Sequence, residues 1–287
     1  MRVAIFGTGR MGTAFAKRLI ETGNSVTVWN RTSEKTSAAS QAGAIVAEKI
    51  ADAAKSDILI LSLSGSSAVR QVVESILEVG NKGRLIIDTS TLLPDDSREF
   101  ADMVIRAGSH FVDCPVGGTV VPALKGQLLG MAGGTIEDFE RARPILEQLC
   151  RRVEHMGSVG SGSHMKLAVN LPLIIYWKTL SESLAMLKES GIPIEKAISV
   201  IADSSGGPAV LKNRAQVVID TLNGTDQIGT VDIETLQKDL ELALKQAKKS
   251  GISMSISEAT RDAYTEAVAS KLSAFDGSSL TRYLSGY

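Results

Sequence analysis

The chain has 287 residues, of which 44% are hydrophobic and 22% charged, and its formal net charge is −1. This size allows one large domain or two ordinary ones with ample core, and the near-zero charge argues against non-specific nucleic-acid binding, which needs a basic surface. No apolar run reaches the length of a membrane span, and the three histidines lack metal-ligand spacing, so neither a membrane protein nor a metal site is expected. Cys114 and Cys150 could form at most one disulfide, and read rather as two partly buried thiols of a reducing cytoplasm. Met1 leads directly into a strand with no room for a signal peptide, and a cytoplasmic protein is expected.

The apolar run Val3-Ala4-Ile5-Phe6 reads as a buried strand, and a helical pattern through Met11, Phe15, Leu19 and Ile20 follows it closely. Between them lies Gly7-Thr8-Gly9-Arg10-Met11-Gly12. A strand, then G-x-G-x-x-G, then a helix is the context that a dinucleotide fingerprint requires. Gly7 permits the tight turn, Gly9 lets the backbone approach a pyrophosphate, and Gly12 lets helix and strand pack closely. The helix N-terminus offers unpaired N–H groups to that pyrophosphate.

A second strand, Ser25–Trp29, ends at Asn30-Arg31-Thr32. Folds that prefer NAD usually place an acid here to hold the ribose 2′-hydroxyl, and none is present. Arg31 can bond a 2′-phosphate with charge assistance, although a solvated arginine is the other reading. NADPH is the expected cofactor, with NAD possible.

Strands are expected next at Ile58–Leu63 and Arg84–Asp88, each followed by a Ser/Thr-rich loop. Such strand ends are where ligands sit in open α/β sheets, which brings Leu63, Ser64 and Thr91 into the cofactor set. A helix begins near Ala68, and Pro94 suits the first turn of another. Further strands are expected near His110–Asp113, Gln127–Ala132 and Arg152–Met156, with a helix over Ile136–Leu149.

The texture changes after Gly162. Gly162-Ser163-His164-Met165 looks like a tag remnant but is internal, and is taken as native. Met165–Lys188 reads as one long helix, apolar on most faces, with Pro172 inside it to kink it or remove a hydrogen bond. Helical periodicities alone follow, at Ile194–Ile201, Ala209–Leu222, Ile233–Ser250 and Ser255–Lys271, and the last stretch from Phe275 to Tyr287 is ambiguous. The expected organisation is an α/β nucleotide-binding domain over 1–162, a long helix over 163–192, and an all-helical domain over 193–287 for substrate binding and dimerisation.

Three further stretches carry chemical signal. Asp113-Cys114-Pro115-Val116-Gly117-Gly118-Thr119 closes a strand, and its glycines allow backbone N–H groups to approach a small anion, or make a tight turn. Lys166 and Asn170 are four apart and share a helix face. An amine beside an amide on an otherwise apolar helix is expensive unless it has polar work, and a lysine there can give a proton to a carbonyl oxygen, or simply snorkel to solvent near the helix start. Lys238-Asp239 alone reads as a surface pair.

Taken in order, these residues resemble the β-hydroxyacid dehydrogenase family, which includes hydroxyisobutyrate dehydrogenases and glyoxylate/succinic semialdehyde reductases. The resemblance runs from Gly7–Gly12 through Asn30-Arg31-Thr32, Asp88-x-Ser90-Thr91-x-x-Pro94 and Asp113-x-Pro115-Val116. It continues through Gly160-x-Gly162-x-x-x-Lys166-x-x-x-Asn170 to Lys238-Asp239, covering essentially the whole chain. It implies a Rossmann-type α/β N-terminal domain, an all-α C-terminal domain, and a homodimer or homotetramer built through the long helix.

The resemblance also implies roles. Lys166 would be the general acid/base, Asn170 would bind substrate and orient the lysine, and Thr91 would contact the nicotinamide side of the cofactor. Lys238 would reach toward the cofactor, Asp239 would act behind these groups, and backbone at Gly117 and Gly118 would hold the substrate's acidic group. Two positions depart from the family motif Asp-x-Pro-Val-Ser-Gly-Gly: Gly117 replaces its serine and Thr119 its third-position glycine. Thr119 is the expected stand-in for that serine. The sulfolactaldehyde reductase branch looks similar there, but carries an arginine where this chain has Gly118, which argues against a sulfonate substrate.

The expected activity is NADPH-dependent reduction of a small aldehyde-acid, or its reverse. Imine reduction is the alternative, weakened by Lys166, which imine reductases commonly replace. A non-catalytic NADP-binding sensor is a third reading.

Overall fold

The computed structural model describes residues 1–80, 82–229 and 231–286; Tyr287, the end of the ambiguous last stretch, lies outside them. The chain divides into one unit, Met1–Lys166, and a second that begins at Leu167.

Among the described residues the first unit is built on nine strands: β1 (Arg2–Phe6), β2 (Ser25–Trp29), β3 (Ile45–Val46), β4 (Ile58–Leu61), β5 (Leu85–Asp88), β6 (His110–Asp113), β7 (Val116–Gly117), β8 (Leu128–Gly133) and β9 (Cys150–Gly157). They form one sheet in the order β3-β2-β1-β4-β5-β6-β8-β7, with β9 paired to β8. The first six in sequence pair in parallel. β8 runs antiparallel to β6 and β7 and parallel to β9. The sheet is therefore mixed, with a doubly wound parallel half in which the order reverses between β1 and β4.

Side chains along these strands alternate between two cores, as a period of two requires. Val3, Ile5, Val28, Ile60 and Ile87 join one core with Phe15 and Leu19 of the Arg10–Glu21 helix and Ile145 of the Ile136–Leu149 helix. Ala4, Phe6, Leu59, Leu61 and Ile86 join the other with Val73 of the Ser66–Glu78 helix and Phe100 of the Pro94–Arg106 helix. Helices thus cover both faces, and strands buried on both faces read as the continuous apolar runs seen in the sequence.

Boundaries shift slightly. The strand expected over Ile58–Leu63 ends at Leu61, and just beyond it the Ser62 carbonyl lies close against Gly7, where a Cβ would run into it. The following helix starts at Ser66, two residues before Ala68. Two short strands had no periodic signal: β3, whose two residues are exposed, and β7, inside a stretch that reads as a turn.

The second unit is helical. It takes in most of a continuous helix, Ser161–Leu187, followed by Ile194–Asp203, Ala209–Leu222, Ile233–Lys249, Ser255–Ala269 and Leu280–Ser285. The long helix starts four residues before Met165 and passes through Pro172, whose ring nitrogen has no proton for the Ala168 carbonyl. Ile174, Trp177, Leu180 and Leu184 pack with Ile198, Leu211, Leu236 and the fully buried Tyr264, whose hydroxyl donates to the Ile174 carbonyl at 3.2 Å. The ambiguous last stretch folds as a 3₁₀ turn, Gly277–Ser279, and the Leu280–Ser285 helix. Buried Asp276 anchors it, receiving the Ser278 N–H at 3.1 Å and the Arg214 guanidinium at 2.5 Å. Among the described residues no helix is long and apolar enough to cross a membrane.

Candidate functional site

The ends of β1, β2, β4, β5 and β6 lie along one edge because these strands are parallel. The loops outside that edge, at the reversal of strand order, carry the first group of site residues. Gly7 sits at φ +97, which favours glycine, and a Cβ on Gly12 would run into the Gly7 carbonyl. A Cβ on Gly9 would meet nothing within 4 Å, so the turn is crowded beneath and open above. Thr8 is buried, and its Oγ1 has no hydrogen-bond partner. An open backbone turn at a helix N-terminus with an orphaned hydroxyl fits the phosphates of a dinucleotide.

Neighbouring groups brace this turn. Asn30 Oδ1 accepts the Thr8 N–H at 3.0 Å, and its amide donates to the Thr32 carbonyl at 2.8 Å. Asn30 is thus occupied by the turn itself, while Arg31 is exposed and forms no ion pair among the described residues. Arg10 and Thr32 are also exposed, and Met11 is packed against the core beneath. The Leu63 N–H donates to Ser90 Oγ at 3.1 Å, which ties the loop after β4, with Ser64 beside it, to the loop carrying Thr91. Ser90 in turn gives its N–H to Asp88 Oδ1 at 2.9 Å.

Asp88 and Asp113 are register partners at the ends of β5 and β6, and each is 1% exposed. Burial pushes the Asp88 carboxyl up to about 7, against the bonds from Ser90, and its Oδ2 has no hydrogen-bond partner. Burial likewise raises Asp113 to about 6, opposed by the N–H groups of Gly160 and Ser163. Sequence reasoning placed both in motifs without seeing their burial, and nothing local marks Asp113 for partners some 50 residues away.

After Asp113 the chain forms β7, with Val116 opposite Gly130 and Gly117 opposite Leu129. Gly117 therefore belongs to a ladder, and the turn falls on Gly118 at φ +116, where a Cβ would also press on Leu128. Thr119 is the residue before the short Val120–Leu124 helix. The Lys166 ammonium donates to the Val116 carbonyl at 2.7 Å. Lys166 and Asn170 lie one turn apart on the Ser161–Leu187 helix.

Within the second unit, Asn170 is buried and its amide donates to Asp239 Oδ2 at 2.7 Å. Asp239, 4% exposed, is also 3.2 Å from the Lys238 ammonium through Oδ1. Lys238-Asp239 is thus an anchored half-buried pair, not the surface pair that its local sequence suggested. His164 is exposed, and slight burial with the nearby Arg98 charge lowers its imidazole. Cys114 and Cys150 are buried free thiols, and burial pushes Cys150 up to about 12. Among the described residues no cluster of three metal-binding side chains occurs.

A doubly wound sheet with an open glycine turn at its reversal point, followed by a helical region, is the frame of an NAD(P)-binding protein, and the family matches make it an NAD(P)-dependent oxidoreductase. Residues 2–157 match the family described as the NAD-binding domain of 6-phosphogluconate dehydrogenase, and residues 160–284 that described as the NAD-binding region of NADP-dependent 3-hydroxyisobutyrate dehydrogenase. The chain belongs to the 3-hydroxyisobutyrate dehydrogenase, or β-hydroxyacid dehydrogenase, family of dehydrogenases and aldehyde reductases.

Named relatives agree. Glyoxylate/succinic semialdehyde reductase 1 of Arabidopsis thaliana is 30% identical, over 93% of this chain and 92% of its own. The 3-sulfolactaldehyde reductase of Escherichia coli is 31% identical, over 92% and 89%. In structure, the Mycobacterium tuberculosis 3-hydroxyisobutyrate dehydrogenase solved with L-serine superposes with a TM-score of 0.87 at 24% identity, covering 99% and 98%. A reductive aminase from Aspergillus terreus shares the fold with a TM-score of 0.64 at 23% identity, covering 98% of each chain.

Proposed function

We propose that this protein reduces a small aldehyde-acid to its hydroxyacid, or runs the reverse reaction, with NADPH as its preferred cofactor. The observation that carries the reading is the Lys166 ammonium, held 2.7 Å from the Val116 carbonyl beside Gly117 and Gly118 and one turn from Asn170. A nicotinamide cofactor on the Gly7–Gly12 turn supplies the hydride. Lys166 gives its proton to the carbonyl oxygen as negative charge develops there, and withdraws one from the hydroxyl in the reverse direction. Asn170, fixed by Asp239, orients substrate and lysine. Backbone N–H at Gly118 and the Thr119 hydroxyl hold the acid group, and Thr91 and Lys238 complete the cofactor contacts.

Arg31 supports the choice of NADPH, being exposed with no acid at the end of β2 to repel a 2′-phosphate. The division of labour we infer is cofactor binding by 1–162, connection by the helix region 163–192, and substrate and subunit contacts by 193–287. A cytoplasmic homodimer or homotetramer accompanies the reading. Light scattering on the purified chain tests the oligomer.

The decisive assay follows NADPH absorbance with glyoxylate, succinic semialdehyde, tartronate semialdehyde and one cyclic imine, for wild type and Lys166→Ala. Turnover of an aldehyde-acid that Lys166→Ala loses is expected. Turnover of the imine alone, or an unimpaired Lys166→Ala, overturns the reading.

A further inference from the structure

One carboxylate holds the start of the helix that carries Lys166. Asp113 takes the Gly160 N–H on Oδ1 at 2.8 Å and the Ser163 N–H on Oδ2 at 2.8 Å. The first N–H groups of a helix have no acceptor within it and carry its positive end, so a carboxylate there satisfies donors and charge together. Room for it is made by two glycines. A Cβ on Gly133 would run into Oδ1, and one on Gly162 would come within 3.0 Å of Oδ2. Ser163 adds a hydroxyl bond to Ser97 at 2.9 Å, so this turn is tied to the Pro94–Arg106 helix as well.

Three residues beyond Asp113, the Val116 carbonyl takes the Lys166 ammonium. The four residues from Asp113 to Val116 therefore grip the same short stretch twice, at the first turn of the helix and at the tip of the lysine. A lysine side chain has four rotatable bonds and little inherent order. Fixing both its backbone and its terminal amine to one segment removes most of that freedom.

We propose that Asp113 is a positioning residue for catalysis, setting the place of Lys166 by capping the first turn of its helix. This rests on Lys166 being the proton donor. The effect is expected on turnover more than on cofactor binding, because Asp113 touches the start of the lysine helix and not the Gly7–Gly12 turn.

The test compares wild type, Asp113→Asn, Asp113→Ala and Lys166→Ala as full chains, with the aldehyde-acid that wild type turns over best. NADPH binding measured by fluorescence titration gives the number of folded sites, so kcat is expressed per binding-competent site. Asp113→Asn keeps one acceptor oxygen and turns an amide toward the other N–H. Its kcat is expected to fall and that of Asp113→Ala to fall further, by roughly 10²-fold, the cost of a misplaced catalytic group. The NADPH dissociation constant should stay unchanged, and the ordering wild type, Asn, Ala marks the capping bond as the cause.

A kcat per site equal to wild type in both Asp113 variants overturns the proposal, as does a change confined to KM. Failure of both variants to give any NADPH-binding protein also overturns it, making Asp113 a folding determinant. Lys166→Ala separates this claim from the one beneath it. Retained turnover there refutes the lysine reading itself, whereas its loss alongside unchanged Asp113 variants refutes only the positioning.

Discussion

The Asn170 amide donates to Asp239 Oδ2 at 2.7 Å, a bond between buried residues 69 positions apart in sequence. It fixes which way the amide faces, and it makes Asp239 the partner whose removal should be felt at Asn170. Asp239→Ala leaves that amide without its acceptor, which costs about 1–3 kcal/mol. The variant should melt lower and show a raised KM for the aldehyde-acid, with the NADPH dissociation constant less affected. Thermal unfolding with steady-state kinetics checks this, and an unchanged KM would dissociate Asn170 from substrate binding.

Arg31 is expected to decide between the two nicotinamide cofactors. A charged arginine–phosphate bond contributes about 1.5–3 kcal/mol, so Arg31→Ala should raise the KM for NADPH by roughly 10- to 100-fold. The KM for NADH should hardly move. Parallel kinetics with both cofactors measures the ratio, and a wild-type preference for NADH would end this account of Arg31.

The buried acids at the ends of β5 and β6 should make stability depend on pH. Asp88 is raised to about 7 and Asp113 to about 6, from an ordinary value of 3.8. Between about pH 4 and pH 7 the folded chain then holds protons that the unfolded chain has released. The contribution of these groups to stability therefore falls as pH rises through that window and levels off above it. The melting temperature should be higher near pH 5 than near pH 8, and Asp88→Asn should flatten the slope. An identical slope in that variant would remove Asp88 as its source.

Much of the fold was legible because its signals are local. The strand His110–Asp113 and the helix Ile136–Leu149 stand where their periodicity puts them. The fingerprint at Gly7–Gly12 lies between a strand and a helix, as its spacing requires. The short strands β3 and β7 escaped because two residues carry no period. The same limit explains what was missed at the site. Lys166 and Asn170 could be paired from helical spacing, but Asp113 with Gly160, Ser97 with Ser163 and Asn170 with Asp239 are long-range contacts. Asn30 could be placed in the motif from its strand end, and the structure adds the bonds of its side chain to Thr8 and Thr32.

The braced glycine turn has a kinetic consequence. Gly12 against the Gly7 carbonyl, the Thr8 N–H on Asn30, and Thr13 Oγ1 donating to the Thr8 carbonyl at 3.1 Å hold the loop in shape. A loop shaped in advance spends little ordering entropy when its partner arrives. Encounter with the dinucleotide should then proceed as one diffusive step, its observed rate rising linearly with concentration and free of a plateau set by slow loop rearrangement.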